Sequence, residues 1–155
     1  MGEEIKILEA FPGLQKDPDF KITSQDDPDY NCIAWACHYN NRWMWPGGIE
    51  KKIADGFHYW PDGVDDTTEV SAFISAFEKK GYMVCDNADF ESDYTKIALY
   101  VKRGTTECTH ASRQLRNGKW TSKLGQSYDI QHGTPYSIEG DIYGEVSCIM
   151  KGEFK

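Results

Sequence analysis

The sequence lacks the features that mark several specialised classes of protein. Its five cysteines are odd in number and lack the close paired spacing of zinc sites, so we expect reduced thiols, with neither a metal nor a cofactor. No apolar run approaches the roughly 20 residues needed to cross a bilayer. The first residues also lack the basic start and apolar stretch of a secretory leader, so we expect a cytoplasmic protein.

Basic residues are scarce relative to acidic ones. The chain has 17 lysines and arginines against 25 aspartates and glutamates, which gives a net charge of −8. Nucleic acids and anionic membranes are bound mainly by basic surfaces, so neither is expected as a partner. A neutral or basic substrate fits this charge better, and the sequence does not indicate an oligomeric state.

The length and the turn residues indicate a single domain. A chain of 155 residues can bury a core without disulfides or metals. Residues 1–29 are expected to be an irregular leading segment, because Pro12, Pro18 and Pro28 interrupt any long periodicity. Residues 30–151 are expected to form the core, and no internal repeat is evident.

Two helices and several short strands are expected, in an α+β order. One helix is predicted from Asn31 to about Tyr39, with Asn31 or Asp29 as its cap. A second helix is predicted to begin at a capping box over residues 66–69 and to end at Gly81. Strands are predicted near residues 82–85, 96–101, 108–115, 119–124 and 143–150.

Asn117 and Gly118 predict a tight hairpin between two of these strands. With a two-residue loop, Arg116 pairs with Lys119, and His110 lies opposite Gly125. The histidine then faces a polar space that has room for a partner or substrate. In this register the apolar face carries Ala111, Leu115, Trp120 and Leu124, and the polar face carries His110, Ser112, Gln114, Arg116, Thr121 and Lys123.

Cys32 is the candidate nucleophile. It follows an acidic, turn-forming segment and opens the first predicted helix, where free N–H groups and the helix dipole stabilise a thiolate. His110, far along the chain in a predicted strand, is the candidate base. The competing interpretations are a buried structural cysteine and a histidine that only forms local hydrogen bonds.

Several motifs resemble those of known families. Asn31 to Ala36 (NCIAWA), Thr109 to Leu115 (THASRQL), Ser122 to Gly125 (SKLG) and Asp129 to His132 (DIQH) resemble an uncharacterised, mostly bacterial domain family over roughly residues 28–151. More distantly, a cysteine that opens a helix, followed by a sheet histidine, resembles the papain-like superfamily, which includes the NlpC-type and CHAP amidases. Here Ile33-Ala34 stands where those amidases have Ser-Gly after the cysteine.

The papain-like resemblance implies a fold and a set of roles. The cysteine helix would pack on an antiparallel sheet, Cys32 would attack a carbonyl, and His110 would carry the proton. Asp129 is the first choice for the group that orients the histidine, and His132 is the second. The oxyanion would be met by the backbone N–H of Cys32, aided by the side chain of Gln25 or Asn31.

The favoured function is therefore hydrolysis or acyl transfer at an amide bond by a peptidase, amidase or deamidase. Its substrate would be a peptide or another amide, and the bacterial resemblance leaves an effector role open. The alternative is a non-enzymatic binding module that uses the Trp-rich segment 43–61, in which Trp45 and Trp60 either wall a cleft or cover the core. Asp62, Asp65 and Asp66 do not have calcium-loop spacing and are expected to be solvated turn residues.

Overall fold

A computed structural model describes residues 2–24, 30–38, 43–46, 58–124 and 128–153. Its described helices are α1 (Gly2–Ala10), α2 (Cys32–Ala36) and α3 (Val70–Glu78). The described strands are β1 (Lys21–Ile22), β2 (Trp43–Met44), β3 (His58–Tyr59), β4 (Tyr82–Cys85), β5 (Tyr94–Val101), β6 (Cys108–Gln114), β7 (Trp120–Lys123), β8 (Asp129–His132) and β9 (Glu145–Glu153).

The larger sheet is antiparallel throughout the described residues. Its seven strands follow the order β1-β8-β7-β6-β5-β9-β4, and β2 and β3 form a separate parallel pair. Helices combined with an antiparallel sheet confirm the α+β class. The five predicted strands are present with small shifts at their ends, whereas β8 was not predicted.

Both faces of this sheet are buried, and each supports its own core. On one face, α2 and α3 pack against residues such as Ile97, Leu99 and Ala111, and we call this the first core. On the other face, Ile7 of α1 packs in a cluster that includes Tyr100, which we call the second core. Residues along β5 alternate between the two cores. Helix α2 packs on the face that carries the first core.

The prediction of an irregular leading segment was wrong. Residues 2–24 contain α1, a 3₁₀ turn from Pro12 to Lys16, and strand β1, which pairs with β8. Pro12 occupies the start of the 3₁₀ turn, where its missing N–H costs no hydrogen bond. The proline therefore begins an element, and Phe11 and Leu14 on either side of it are buried in the second core.

Helix α2 is shorter than predicted. Asn31 caps it as expected: its side-chain oxygen accepts the Ala34 N–H at 3.2 Å. The same side chain bonds Met44 of β2 through both backbone groups, at 2.8 and 3.0 Å. The helix ends at Ala36 and is followed by a turn in which His38 has a φ of 69°.

Helix α3 begins without the predicted capping box. Glu69 is its N-cap residue and makes no side-chain cap hydrogen bond. The residues before the helix instead lie against the start of β6. The Val70 N–H donates to the Thr106 carbonyl at 2.8 Å, and the backbones of Glu69 and Glu107 form an isolated antiparallel β-bridge. Phe73 and Phe77 of this helix are buried, and Gly81 has a φ of 94° beyond its end.

The β6–β7 hairpin has a register one residue away from the predicted one. Its pairs are Arg113 with Thr121 and Gln114 with Trp120, and the Leu115 N–H donates to the Lys119 carbonyl at 2.6 Å. The loop therefore has three residues and ends at Gly118, whose φ is 85°. A slip of one residue exchanges the two faces of β7 relative to β6.

Candidate functional site

Cys32 lies at the first position of α2 and is only 7% exposed. Burial raises the pKa of its thiol to about 11, although hydrogen bonds from backbone N–H groups, including those of Ala111 and Ile33, and the charge of Lys123 act in the opposite direction. The pKa of the Cys32 thiol is therefore not the low value that the sequence had led us to expect, and Cys32 is a protonated thiol at neutral pH. The groups around its sulfur nevertheless favour the thiolate.

His110 is buried and lies on the side of the sheet that carries the second core. Its ring stacks on Tyr143 with centroids 3.9 Å apart and lies 5.2 Å from the ring of Tyr100. Neither ring nitrogen has a hydrogen-bond partner within the described parts of the chain. Burial, and to a smaller extent the charge of His132, hold the His110 pKa well below its usual range.

Cys32 and His110 do not form the hydrogen bond that a nucleophile and its base would share. The strand alternates, so Ala111 faces the first core with Cys32, whereas His110 shares the face of Tyr100. The space predicted beside His110 rested on a two-residue loop that placed Gly125 opposite it. The observed register removes that pairing.

Asp129 does not hydrogen-bond His110. It lies opposite Lys123 in the β7–β8 pair, and one of its carboxylate oxygens accepts a hydrogen bond of 2.6 Å from the Tyr30 hydroxyl. Its other oxygen has no hydrogen-bond partner among the residues the structure describes. The carboxylate therefore belongs to the neighbourhood of Tyr30 and Lys123, on the side of the sheet that faces α2.

His132, the second choice for the orienting group, is already committed to other partners. It lies opposite Trp120, with Nε2 at 2.8 Å from the Ser122 hydroxyl and Nδ1 at 2.7 Å from the Thr134 carbonyl. Burial lowers its pKa to about 4, so it is neutral near pH 7. It forms no hydrogen bond with His110.

Lys123 is the functional candidate that the sequence analysis missed. Its side chain is fully buried, and its ammonium lies 5.0 Å from the centroid of the Tyr30 ring. Buried lysines are rare unless they are paired, and Asp129 is its cross-strand neighbour. A lysine inside a short buried strand was the available signal, but the wrong hairpin register assigned it to the polar face that carried His110.

Of the two side chains proposed for the oxyanion, the structure describes Asn31. Gln25 lies outside the described residues. The side chain of Asn31 is engaged by the helix cap and by Met44, which leaves the backbone N–H groups near Cys32 as the donors at this position.

The two tryptophans proposed for a cleft pack against helix α3. Trp60 is 5% exposed, donates to the Asp65 carbonyl at 3.0 Å, and lies edge-on to Phe73 at 5.0 Å. Trp45 makes a similar edge contact with Phe73 at 5.2 Å. Both therefore cover the first core, and residues 47–57 of the Trp-rich segment lie outside the described residues.

Comparison with known protein families gives one match. A family described as a domain of unknown function, DUF7689, matches residues 21–151. The chain belongs to the DUF7689 family. This match confirms the expected membership of an uncharacterised family, and its description assigns no activity to the DUF7689 domain. No curated protein and no solved structure matches the DUF7689 chain.

The described part of the chain shows neither a membrane-spanning helix nor a cluster of metal-binding side chains. None of its described helices is long and apolar enough to cross a membrane. Its described residues also contain no group of three or more histidine, cysteine or acidic side chains arranged to hold a metal ion. The candidate site therefore consists of the Cys32 thiol beside backbone N–H donors, the buried Lys123 ammonium and the Asp129 carboxylate.

Proposed function

We propose that this protein is a thiol-dependent hydrolase or acyl transferase of papain-like type that acts on an amide bond, with Cys32 as its nucleophile. The observation that carries the proposal is the set of groups around the sulfur. Backbone N–H groups of Ala111 and Ile33 and the charge of Lys123 all stabilise the negative thiolate, and burial alone opposes them.

Lys123 takes the role that the sequence assigned to His110. After the Lys123 ammonium loses a proton to solvent, its neutral amine accepts the thiol proton, and the Cys32 sulfur forms a bond to the carbonyl carbon of the substrate. When the carbon–nitrogen bond breaks, the Lys123 ammonium returns the proton to the leaving amine. Water or another acceptor then attacks the thioester, gives its proton to the Lys123 amine, and releases the Cys32 sulfur, which regains that proton.

Asp129 and Tyr30 hold Lys123 in place. The Tyr30 ring lies beneath the ammonium, and its hydroxyl donates to the Asp129 carboxylate across the strand from Lys123. These contacts make Asp129 and Tyr30 positioning residues. The papain-like assignment is supported by a cysteine at the start of a helix packed on an antiparallel sheet.

Acylation by p-nitrophenyl acetate tests the proposal, because this reagent gives up an acetyl group without needing a specific recognition site. We expect an acetylated Cys32 by mass spectrometry and its slow hydrolysis, and no such adduct in Cys32→Ala. Cys108→Ala removes another buried thiol of the same core and is the matched control. Absence of any Cys32 adduct in the wild type at alkaline pH would contradict the proposal.

Two further variants identify the proton carrier. Lys123→Met should slow acylation, and Lys123→Arg should not restore it, because a guanidinium keeps the charge but does not release its proton. His110→Phe should leave acylation nearly unchanged. If His110→Phe abolishes acylation while Lys123→Met does not, His110 is the base and the role given to Lys123 is wrong.

A further inference from the structure

A second feature of the fold is a cavity that the proposed chemistry does not use. It has a volume of about 580 Å³ and lies where the end of α2, the residues after α3, and strands β4, β5 and β9 meet. This volume is within the range of small-molecule sites in proteins, roughly 300–1,000 Å³. Its lining includes Cys37, His38, Lys80, Tyr82, Tyr94 and Lys151.

Aromatic rings form one part of the lining. Tyr82 is fixed edge-on against Phe77 at 5.4 Å, and a Cβ at Gly152 would lie 3.2 Å from its ring. Neither the Tyr82 hydroxyl nor the Tyr94 hydroxyl has a protein hydrogen-bond partner within the described residues. Burial raises the pKa of Tyr82 to about 12, so its hydroxyl remains a donor. The cavity thus offers flat apolar surfaces with polar ends.

Positive charge forms the other part of the lining. Lys80 and Lys151 both line the cavity, and Arg113 lies behind His38, hydrogen-bonded to its ring. Within the described chain Arg113 has no carboxylate within 4.0 Å, and its Nε has no hydrogen-bond partner. Burial, with the nearby charge of Arg113, lowers the His38 pKa to about 4, so His38 is neutral at pH 7.

Acidic groups also lie near these cations. Glu153 lines the cavity, and Glu91 lies 3.3 Å from Lys151 but also 2.8 Å from Lys96. In a chain with a net charge of −8, the two lysines that line the cavity and Arg113 behind His38 place several cations close together. His38 also holds a φ of 69°, a left-handed backbone conformation that is costly for a residue other than glycine and often occurs at binding sites.

We infer that this cavity binds a small organic anion that combines a carboxylate with a flat apolar body. The cations attract and orient the carboxylate, and the rings of Tyr82 and Tyr94 contact the flat body. The inference is independent of the chemistry at Cys32, because neither Cys32 nor Lys123 lines this cavity. Either proposal can therefore fail without the other.

Titration of the full chain with 2-naphthoate tests the inference. We expect saturable changes in the ring signals of Tyr82 and Tyr94 by nuclear magnetic resonance, assigned with Tyr→Phe variants. The uncharged 2-naphthamide has nearly the same shape and should bind at least about tenfold more weakly, a difference of about 1.4 kcal/mol. Raising the salt concentration should weaken naphthoate binding and leave the amide unaffected.

Charge-removing variants provide the controls. Lys80→Gln and Lys151→Gln should each weaken naphthoate binding several-fold, whereas Lys102→Gln, an exposed lysine outside the cavity lining, should not. Equal binding of naphthoate and naphthamide, or no change in either tyrosine at the solubility limit of naphthoate, would overturn the inference. Displacement of naphthoate by an equal concentration of inorganic phosphate would also overturn it, because phosphate has no flat body.

Discussion

At the scale of single residues, the chemistry of Cys32 depends on a balance between burial and the groups that face its sulfur. Burial is the larger effect and raises its thiol pKa to about 11. At neutral pH the reactive thiolate is therefore a small fraction, and this fraction should increase about tenfold with each pH unit until the pKa is approached. Cys32 should be a slow but strongly pH-dependent nucleophile.

Alkylation by iodoacetamide measures this dependence directly. We expect the Cys32 rate to rise about tenfold per pH unit between roughly pH 7 and pH 10. At pH 7 the partly exposed Cys85 should react faster, because reagents reach it more easily. Peptide mapping by mass spectrometry gives both rates in one sample. A Cys32 rate that levels off near pH 9 would mean that its thiol pKa lies near the ordinary value of about 8.5.

The hydrogen bond from Tyr30 to Asp129 leads to a prediction about stability. Tyr30→Phe removes the donor and leaves a buried carboxylate oxygen without it, so we expect a loss of about 1–3 kcal/mol in the free energy of unfolding. Tyr136→Phe, at a residue that is 52% exposed, is the matched control and should change stability by less than about 0.5 kcal/mol. Urea denaturation compares the two, and equal losses would argue against the buried bond.

At the scale of elements, the β6–β7 hairpin decides which side chains reach the candidate site. Its loop places Gly118 at a φ of 85°, with only Phe90 near the position of an added Cβ, at 3.8 Å. Gly118→Ala should therefore lower the free energy of unfolding by about 1–2 kcal/mol, through backbone strain alone. Gly118→Asn should cost less, because asparagine tolerates this conformation better. If thermal unfolding shows the same loss of stability for both variants, backbone strain at residue 118 is not the cause of that loss.

The same hairpin explains how far sequence reasoning could reach. Local sequence patterns located five strands and helix α3, because these elements depend mainly on nearby residues. The choice between a two-residue and a three-residue loop depends on backbone geometry that Asn117 and Gly118 permit in both cases. That single choice determined whether Lys123 faced α2, so Cys32 and Asp129 were proposed from the sequence and Lys123 was not.

At the scale of the whole molecule, burial of both sheet faces keeps the side chains of His110 and His132 neutral. Burial lowers the pKa of His132 to about 4, and that of His110 lies well below its usual range. In the unfolded chain both titrate near the ordinary value of about 6.5. Below that pH the unfolded state binds protons that the folded state does not bind, so acid favours unfolding.

Stability should therefore be independent of these histidines above about pH 6.5 and should fall as the pH decreases toward 4. Each histidine contributes up to about 1.4 kcal/mol per pH unit in this window. Urea denaturation of the wild type at pH 7 and pH 5 measures the loss, and His110→Phe should reduce the loss because one titrating group is removed. If the wild type is equally stable at both values, these two rings are not held neutral, and their burial in the second core would have to be reconsidered.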